Sequence, residues 1–193
     1  MSDAPVSEPI DLEGKMLIAM PGMGDPRFNK SVIYMCAHTP EGALGLIVNK
    51  PTPELSFGKL LKQLNLDIDE PMRDIRVHFG GPVENGRGFV LHSAEYDSPA
   101  STLKVSNDFA MTATLDILED MANGGGPKDA ILTLGYAGWG PGQLESEILQ
   151  NGWLTCDAER DIVFDEAIDD KWTAALGVLG IDPLMLSAHA GRA

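Results

Sequence analysis

A tight turn joins two β-type segments early in the chain, and it limits what the first half can form. The segments are SVIYMCAH at 31–38 and LGLIVNK at 44–50, and the TPEGA between them contains the proline and glycine typical of turns. A shorter apolar run, MLIAM, precedes them at 16–20. Pro51 and Pro53 prevent the second segment from continuing as a strand. This pattern predicts one strand followed by a β-hairpin.

The rest of the chain mixes strand and helix patterns without a regular β–α–β order. Helices are predicted at 57–64, about 110–122, 143–151 and about 170–179, with one more turn beginning at 182–183. Further strands are predicted at 75–79, 88–93, 102–106, 130–139, 153–157 and 161–165. Because regular alternation is missing, this order favours an α+β fold with a mixed β-sheet over a doubly wound fold.

Length and patterning predict one domain with a short tail. The opening segment MSDAPVSEPIDLEG is acidic, has two prolines and has almost no apolar periodicity, so residues 1–12 are predicted to be a disordered tail. Residues 13–193 are predicted to form one domain, because their number suits a single core and no linker is visible. Without a basic, apolar leader or about 18 consecutive apolar residues, we expect a cytoplasmic protein with no membrane span.

The balance of charge limits the partners. The chain has 14 Lys and Arg against 29 Asp and Glu, which gives a formal charge of -15. Proteins that bind nucleic acid gain much of their affinity by neutralising phosphates with Lys and Arg, so direct binding to DNA is not expected. The segment DAERDIVFDEAIDD at 157–170 carries seven carboxylates, and we interpret it as a solvated face rather than a metal site.

Cysteines and histidines form no catalytic or metal-binding pattern. Cys36 and Cys156 have no second cysteine near them in sequence, so we expect two reduced core thiols, without a CxxC pair, disulfide or zinc cluster. In a hairpin centred near residue 85, His78 would lie opposite Ser93 or His92, depending on the register. Two histidines without a third ligand do not make a catalytic metal site. The sequence therefore predicts no catalytic residue, no metal and no cofactor.

Three glycine-rich loops are the candidates for a binding site: PGMGDPRF at 21–28, GGPVENGRG at 80–88 and GWGPGQ at 138–143. The first departs from a dinucleotide-binding turn, because Pro26 breaks the turn and Arg27 stands where the third glycine must pack. The third joins a strand to a helix, which suits an anion at the helix N-terminus, but it lacks the Lys-Ser/Thr of a P-loop. A crowded turn is the simpler interpretation of these glycines.

If the three loops converge, they would form one anion site, with Arg27 or Arg87 facing the helix that begins near Gly142. The candidate ligand-binding residues are Arg27, Asn49, Gly80, Gly81, Arg87, Gly140, Gly142 and Gln143. The alternative is that each loop turns its own strands and that the arginines pair with the abundant carboxylates.

Four blocks of sequence occur in a recognisable order. They are MLIAMPGMGDPRFNKSVIYMCAHTPEGALGLIVNKP, HFGGPVENGRGFVLH, LGYAGWGPGQLESEI with NGWLT, and WTAALGVLGIDPLMLSAHAGRA. From about residue 12 to the C-terminus, the chain resembles the YqgE/AlgH family of small bacterial proteins. The resemblance implies a bifurcated β-sheet folded into a pseudo-barrel with surrounding helices. It brings no agreed catalytic residues.

The resemblance and the missing catalytic pattern favour a non-catalytic regulatory protein that binds a protein or a small molecule. Some family members are labelled transcriptional regulators, so any role in transcription would run through a partner rather than through DNA. The alternative is an enzyme whose site is assembled in space from Arg27, Asn49, His78, Arg87 and Gln143. The sequence specifies neither the partner nor an oligomeric state.

Overall fold

Nine β-strands form one mixed sheet in the computed structural model, which describes residues 11–22, 24–68, 70–98, 101–113 and 115–190, with side chains as far as residue 186. The strands are β1 (Lys15–Ala19), β2 (Val32–Thr39), β3 (Gly42–Ile47), β4 (Val77–Phe79), β5 (Val83–Ser93), β6 (Thr102–Lys104), β7 (Phe109–Thr112), β8 (Ala130–Trp139) and β9 (Trp153–Asp157). Their order is β6–β7–β5–β8–β3–β2–β1–β9, and β4 pairs with β8 beside this path. The pairing is antiparallel except between β4 and β8, which run parallel.

Helices surround this sheet. They are α1 (Phe57–Gln63), α2 (Leu115–Ala122), α3 (Gln143–Leu149), α4 (Lys171–Val178) and α5 (Pro183–Ala190). The side chain of Ser56 caps α1 by accepting a hydrogen bond from the N–H of Lys59. The predicted helices at 57–64, 143–151 and 170–179 are confirmed to within two residues at each end. No described helix exceeds eight residues, whereas a helix across a bilayer needs about 20.

Strand β8 is shared by two branches of the sheet. Residues 132–134 pair with β4 on one edge and with β5 on the other, whereas residues 137–139 pair with β3. The branches meet at Gly80, whose N–H donates to Leu134 O and whose carbonyl accepts from Ile47 N. The sheet is therefore a curled half-barrel in an α+β fold, which confirms the predicted fold class.

The core has three parts. Inside the curl, side chains of β1–β3 such as Tyr34 pack with Phe109 of β7 and with Trp172 of α4. Helices α1 and α2 cover the face of β4, β5 and β8 that includes Leu132. Helix α3 covers the outer face of β1–β3, where Trp153 is also buried. The predicted strands and helices therefore bury their apolar faces against one another as expected.

Two predicted elements are wrong. The predicted helix at 110–122 begins as β7, and only the segment from Leu115 onward is helical, because all four residues of β7 are buried and pair with β5 and β6. The predicted strand at 161–165 is one π-helical turn, closed by the N–H of Glu166 donating to Asp161 O. Ile162 and Val163 are adjacent and both buried, which a strand with one solvated face does not allow.

The predicted pairing of His78 with Ser93 or His92 is also wrong. His78 lies opposite Thr133 on one edge of β8, and Phe89 of β5 lies opposite the same Thr133 on the other edge. The chain therefore crosses over β8 between β4 and β5 instead of turning back in a hairpin. By contrast, the predicted hairpin of β2 and β3 is confirmed.

The start of the described chain is packed onto the sheet. Residues 1–10 of the predicted tail lie outside the described residues. Leu12 is buried, and its N–H donates to His38 Nδ1 at 3.0 Å. The other ring nitrogen, Nε2, lies 2.5 Å from Glu145 Oε1 of α3. Leu12, the last residue of the predicted tail, is therefore packed against the sheet.

Candidate functional site

Gly80 and Gly81 are where the chain crosses β8. A Cβ atom on Gly81 would lie 2.0 Å from the carbonyl carbon of Tyr136 and 2.2 Å from the nitrogen of Ala137. A Cβ on Gly80 would lie 2.3 Å from Gly135 O. All three distances are far below van der Waals contact, and the three obstructing atoms are backbone. These two candidate residues therefore permit a close crossing of two strands, and they are enclosed by the fold.

The two arginines of the predicted anion site are engaged locally. Arg27 donates to the carboxylate of Asp25 through Nε at 3.0 Å and Nη2 at 2.7 Å. The guanidinium of Arg87 lies 5.3 Å from the centroid of the Phe89 ring, and its Nη1 is 3.8 Å from Glu84 Oε2. This is the arrangement of the alternative interpretation, in which each arginine has a carboxylate near its own loop.

The loop at 138–143 also closes on itself. Gln143 Oε1 accepts from the N–H of Gly140 at 3.0 Å, and Gly142 has a left-handed φ of 71° at the start of α3. Among the described residues, neither Arg27 nor Arg87 forms a hydrogen bond or ion pair with this segment. The predicted shared site requires Arg27 or Arg87 to face the loop at 138–143, and the structure shows no such contact among the described residues.

Asn49 is the candidate residue that does line a cleft. The cleft has a volume of about 290 Å³ and is lined by Lys30, Asn49, Lys50, Ile168, Asp169, Trp172, Thr173 and Pro183; we name it the lysine cleft. Asn49 Oδ1 accepts from Val32 N at 2.9 Å, and its Nδ2 donates to Lys30 O at 2.8 Å. This second bond holds Lys30 in a left-handed turn with φ of 54°, so Asn49 positions the cleft wall.

Two lysines give the lysine cleft its positive charge. The ammonium of Lys30 lies 5.6 Å from the centroid of the Trp172 ring, and Lys50 Nζ donates to Asn29 O at 2.5 Å. Among the described residues, neither lysine forms an ion pair, although Asp169 lines the same cleft. Burial lowers the pKa of Lys50 below its ordinary value. A desolvated ammonium with no carboxylate partner would be stabilised by a bound anion.

The indole of Trp172 forms a fixed wall of the lysine cleft. Its Nε1 donates to Ala19 O at 2.9 Å, and the residue is buried. The adjacent Lys171 is only 3% exposed and donates from Nζ to Val48 O at 3.3 Å and to Val163 O. Burial lowers the pKa of Lys171 to about 8. Lys171 therefore joins the π-helical turn to the end of β3 and lies behind the cleft wall, where a ligand does not reach it.

The described thiols are unsuited to nucleophilic chemistry, and both ring nitrogens of His92 have hydrogen-bond partners. Burial raises the pKa of Cys36 to about 12 and that of Cys156 to about 11, and both cysteines are free, as predicted. His92 is fully buried, with Nδ1 2.8 Å from Ser93 O and Nε2 2.8 Å from Thr112 Oγ1. Within the described part of the chain, no three His, Cys, Asp or Glu side chains are grouped to hold a metal ion.

The fold and this cleft define the class: a small α+β protein built on a curled, mixed half-barrel, with a lysine-lined cleft on its surface. The chain belongs to the AlgH-like family, whose model matches residues 16–184. It is 60% identical to a UPF0301 protein of Ruegeria pomeroyi and 56% identical to one of Cereibacter sphaeroides, each alignment covering 95% of this chain and 100% of the relative. These matches confirm the predicted family.

Solved structures give the same result. The solution structure of the AlgH protein from Pseudomonas aeruginosa matches over 100% of both chains, with a TM-score of 0.79 and 41% identity. A crystal structure of a protein from Corynebacterium diphtheriae matches with a TM-score of 0.67 and 21% identity, over 93% of this chain and 91% of that one. At this lower identity, the second match supports the fold alone.

Sequence reasoning missed Lys30, Lys50 and Trp172. A signal for the two lysines is present, because each follows an asparagine at the open end of the predicted hairpin. The open ends of two antiparallel strands lie side by side, so residues 29–30 and 49–50 must be neighbours.

The residues of the alternative enzyme site are not joined to one another. Among the described residues, no hydrogen bond joins any two of Arg27, Asn49, His78, Arg87 and Gln143.

Proposed function

We propose that this protein is a non-catalytic binding protein, and that the lysine cleft binds a small organic ligand through one carboxylate or phosphate group. The observation that carries the proposal is the pair Lys30 and Lys50, which has no carboxylate partner among the described residues although the chain's formal charge is -15. Other described lysines also lack an ion pair, but Lys30 and Lys50 differ from them because both line one cleft beside Trp172. Two ammonium groups in one cleft are suited to receive an anion.

The shape and charge of the cleft restrict the ligand. A volume of about 290 Å³ is at the small end of ligand pockets and suits a metabolite rather than a chain. The Trp172 ring favours a ligand with a flat or apolar body. Asp169 lines the same cleft and disfavours a polyanion, because a second negative charge on the ligand would approach this carboxylate. The ligand we expect therefore carries a single anionic group.

The buried chemistry of the chain supports binding over catalysis. Cys36 and Cys156 remain thiols at neutral pH because burial raises their pKa, and His78 and His92 lie inside the protein rather than in the lysine cleft. If the protein acts on transcription, as the family resemblance suggests, we expect the ligand or a protein partner to carry the signal. The regulatory signal would then depend on whether a ligand occupies the lysine cleft.

Replacing the two lysines of the cleft should abolish most of its anion binding. We expect inorganic phosphate or benzoate to shift the indole N–H resonance of Trp172 in wild-type protein, and Lys30→Ala/Lys50→Ala to weaken this binding at least about tenfold, which corresponds to about 1.4 kcal/mol. Native mass spectrometry of the purified protein would identify any natural anion that binds tightly enough to be retained.

The matched control is Lys59→Ala/Lys62→Ala, which changes the net charge equally but alters exposed lysines on α1. If both double variants lose binding equally, the effect is general electrostatics and the proposed site is wrong. The proposal also fails if neither probe moves the Trp172 resonance of the wild type at concentrations well above about 1 mM.

We further expect the isolated protein to bind no DNA duplex selectively near physiological salt. Its formal charge of -15 opposes approach to the phosphate backbone, and the cleft that contains Lys30 and Lys50 also contains Asp169. An electrophoretic shift assay with a promoter-length duplex and a scrambled duplex measures this directly. Retention of one sequence at sub-micromolar protein, without retention of the other, would contradict the expectation.

A further inference from the structure

A second cleft lies beside the C-terminal end of α3. It has a volume of about 480 Å³, and the residues that line it include Glu147, Gln150, Asn151, Trp153, Pro21 and Gly22. We name it the Glu147 cleft. It shares no residue with the lysine cleft, and Glu147 is the only charged residue that lines it among the described residues.

The carboxylate of Glu147 is held by two buried indoles. Its Oε2 accepts from Trp139 Nε1 at 2.5 Å and from Trp153 Nε1 at 3.4 Å. The two indole rings pack edge to face with centroids 6.1 Å apart, and Phe28 packs edge to face on Trp153 at 5.7 Å. The position of this carboxylate is therefore set by packed aromatic rings and is ready before any ligand arrives.

One oxygen of Glu147 is left for a ligand. Within the described part of the chain, Oε1 has no hydrogen-bond or ion-pair partner, and no Lys or Arg lines the cleft. The indole N–H groups are neutral donors, so they bring no positive charge to the carboxylate. The hydrogen bonds from the two indoles involve Oε2 alone. The negative charge and the second oxygen of Glu147 are thus available to a ligand in the cleft.

We infer that the Glu147 cleft binds a small organic cation, an alkylammonium or alkylguanidinium, with its charge against Glu147 and its alkyl chain against Pro21 and the edge of Trp153 that lines the cleft. The Gln150 amide donates to Ser146 Oγ at 3.3 Å, which leaves its carbonyl oxygen as a second acceptor for the ligand N–H groups. A divalent metal ion is a poor alternative, since it needs several oxygen ligands and no described group of three acidic or histidine side chains is present.

The three tryptophans of the chain allow a direct test. Trp139 and Trp153 contact Glu147, whereas Trp172 lines the lysine cleft. Titration with n-butylammonium or ethylguanidinium should shift the indole N–H resonances of Trp139 and Trp153 and leave that of Trp172 unchanged. n-Butanol, which has the same alkyl chain without the charge, should bind at least about tenfold more weakly. Equal effects of n-butanol and n-butylammonium would overturn the proposal.

Glu147→Gln isolates the charge, because glutamine keeps a carbonyl oxygen for the two indoles. We expect this variant to fold and to bind n-butylammonium at least about tenfold more weakly than wild type. Glu119→Gln, on the exposed face of α2, changes the net charge equally and should bind as wild type does. Unchanged binding by Glu147→Gln, or no shift of Trp139 and Trp153 in the wild type, would refute the site. If the variant does not fold, the comparison with n-butanol on wild-type protein still decides.

Discussion

Gly81→Ala should leave the protein largely unfolded, whereas Gly86→Ala, five residues later in the same glycine-rich loop, should change its stability little. A methyl group on Gly81 would lie 2.0 Å from the Tyr136 carbonyl carbon, and Gly81 has a φ of 154° that other residues rarely adopt. The obstructing atoms belong to β8, the strand that joins both branches of the sheet. We expect a loss of about 4 kcal/mol or more, which is comparable with the whole stability of many domains.

Gly86 is the matched control because a Cβ built there meets nothing within 4 Å and no positive φ is needed. Urea denaturation should place Gly86→Ala within about 1 kcal/mol of wild type. Gly135→Ala approaches the same crossing from β8, where its Cβ would lie 2.4 Å from Gly81 O, so it should be as damaging as Gly81→Ala. Similar stabilities for Gly81→Ala and Gly86→Ala would show that the crossing is not the reason for the glycine.

This crossing is also where prediction from sequence failed most clearly. The segment around Asn85 and Gly86 has the residues of a two-residue hairpin turn, and local turn chemistry alone favours that pairing. The actual partner of both β4 and β5 is β8, about fifty residues later in the chain. No local pattern specifies a strand that inserts between two others. The same non-local pairing makes a strand of residues 109–112, whose apolar spacing also fitted a helix.

The candidate site was predictable only in part. Asn49 was identified, and the confirmed hairpin of β2 and β3 places Lys30 and Lys50 at its open end, so this pair could have been found from the sequence. Trp172 could not, because it follows Lys50 by more than a hundred residues and reaches the cleft through the packing of α4 inside the curl. Likewise, Glu147 meets Trp153 only after α3 packs on the outer face of the sheet.

Acidification should destabilise the folded protein through His78. This residue is 5% exposed, and its pKa is lowered from the ordinary 6.5 to about 4, mainly because burial disfavours the imidazolium. The nearby charges of Lys171 and Arg76 act in the same direction, while hydrogen bonds to backbone carbonyls, such as that to Leu132 O, oppose the shift. Between pH 6.5 and 4 the unfolded chain therefore binds a proton at His78 that the folded chain does not. Stability present above pH 6.5 is lost progressively as the pH falls, by about 3 kcal/mol in total.

His78→Asn tests this assignment, because the asparagine amide can still donate to Leu132 O but does not titrate. The free energy of unfolding of both proteins would be measured by urea denaturation from pH 7.5 to 4. We expect the wild type to lose about 3 kcal/mol relative to the variant across this range, whatever constant cost the substitution has at pH 7.5. His92, whose pKa burial also lowers, is present in both proteins, so its contribution cancels from the difference. The prediction is wrong if the difference in unfolding free energy between the two proteins stays constant from pH 7.5 to 4. That result would mean that His78 has the same pKa in the folded and the unfolded chain.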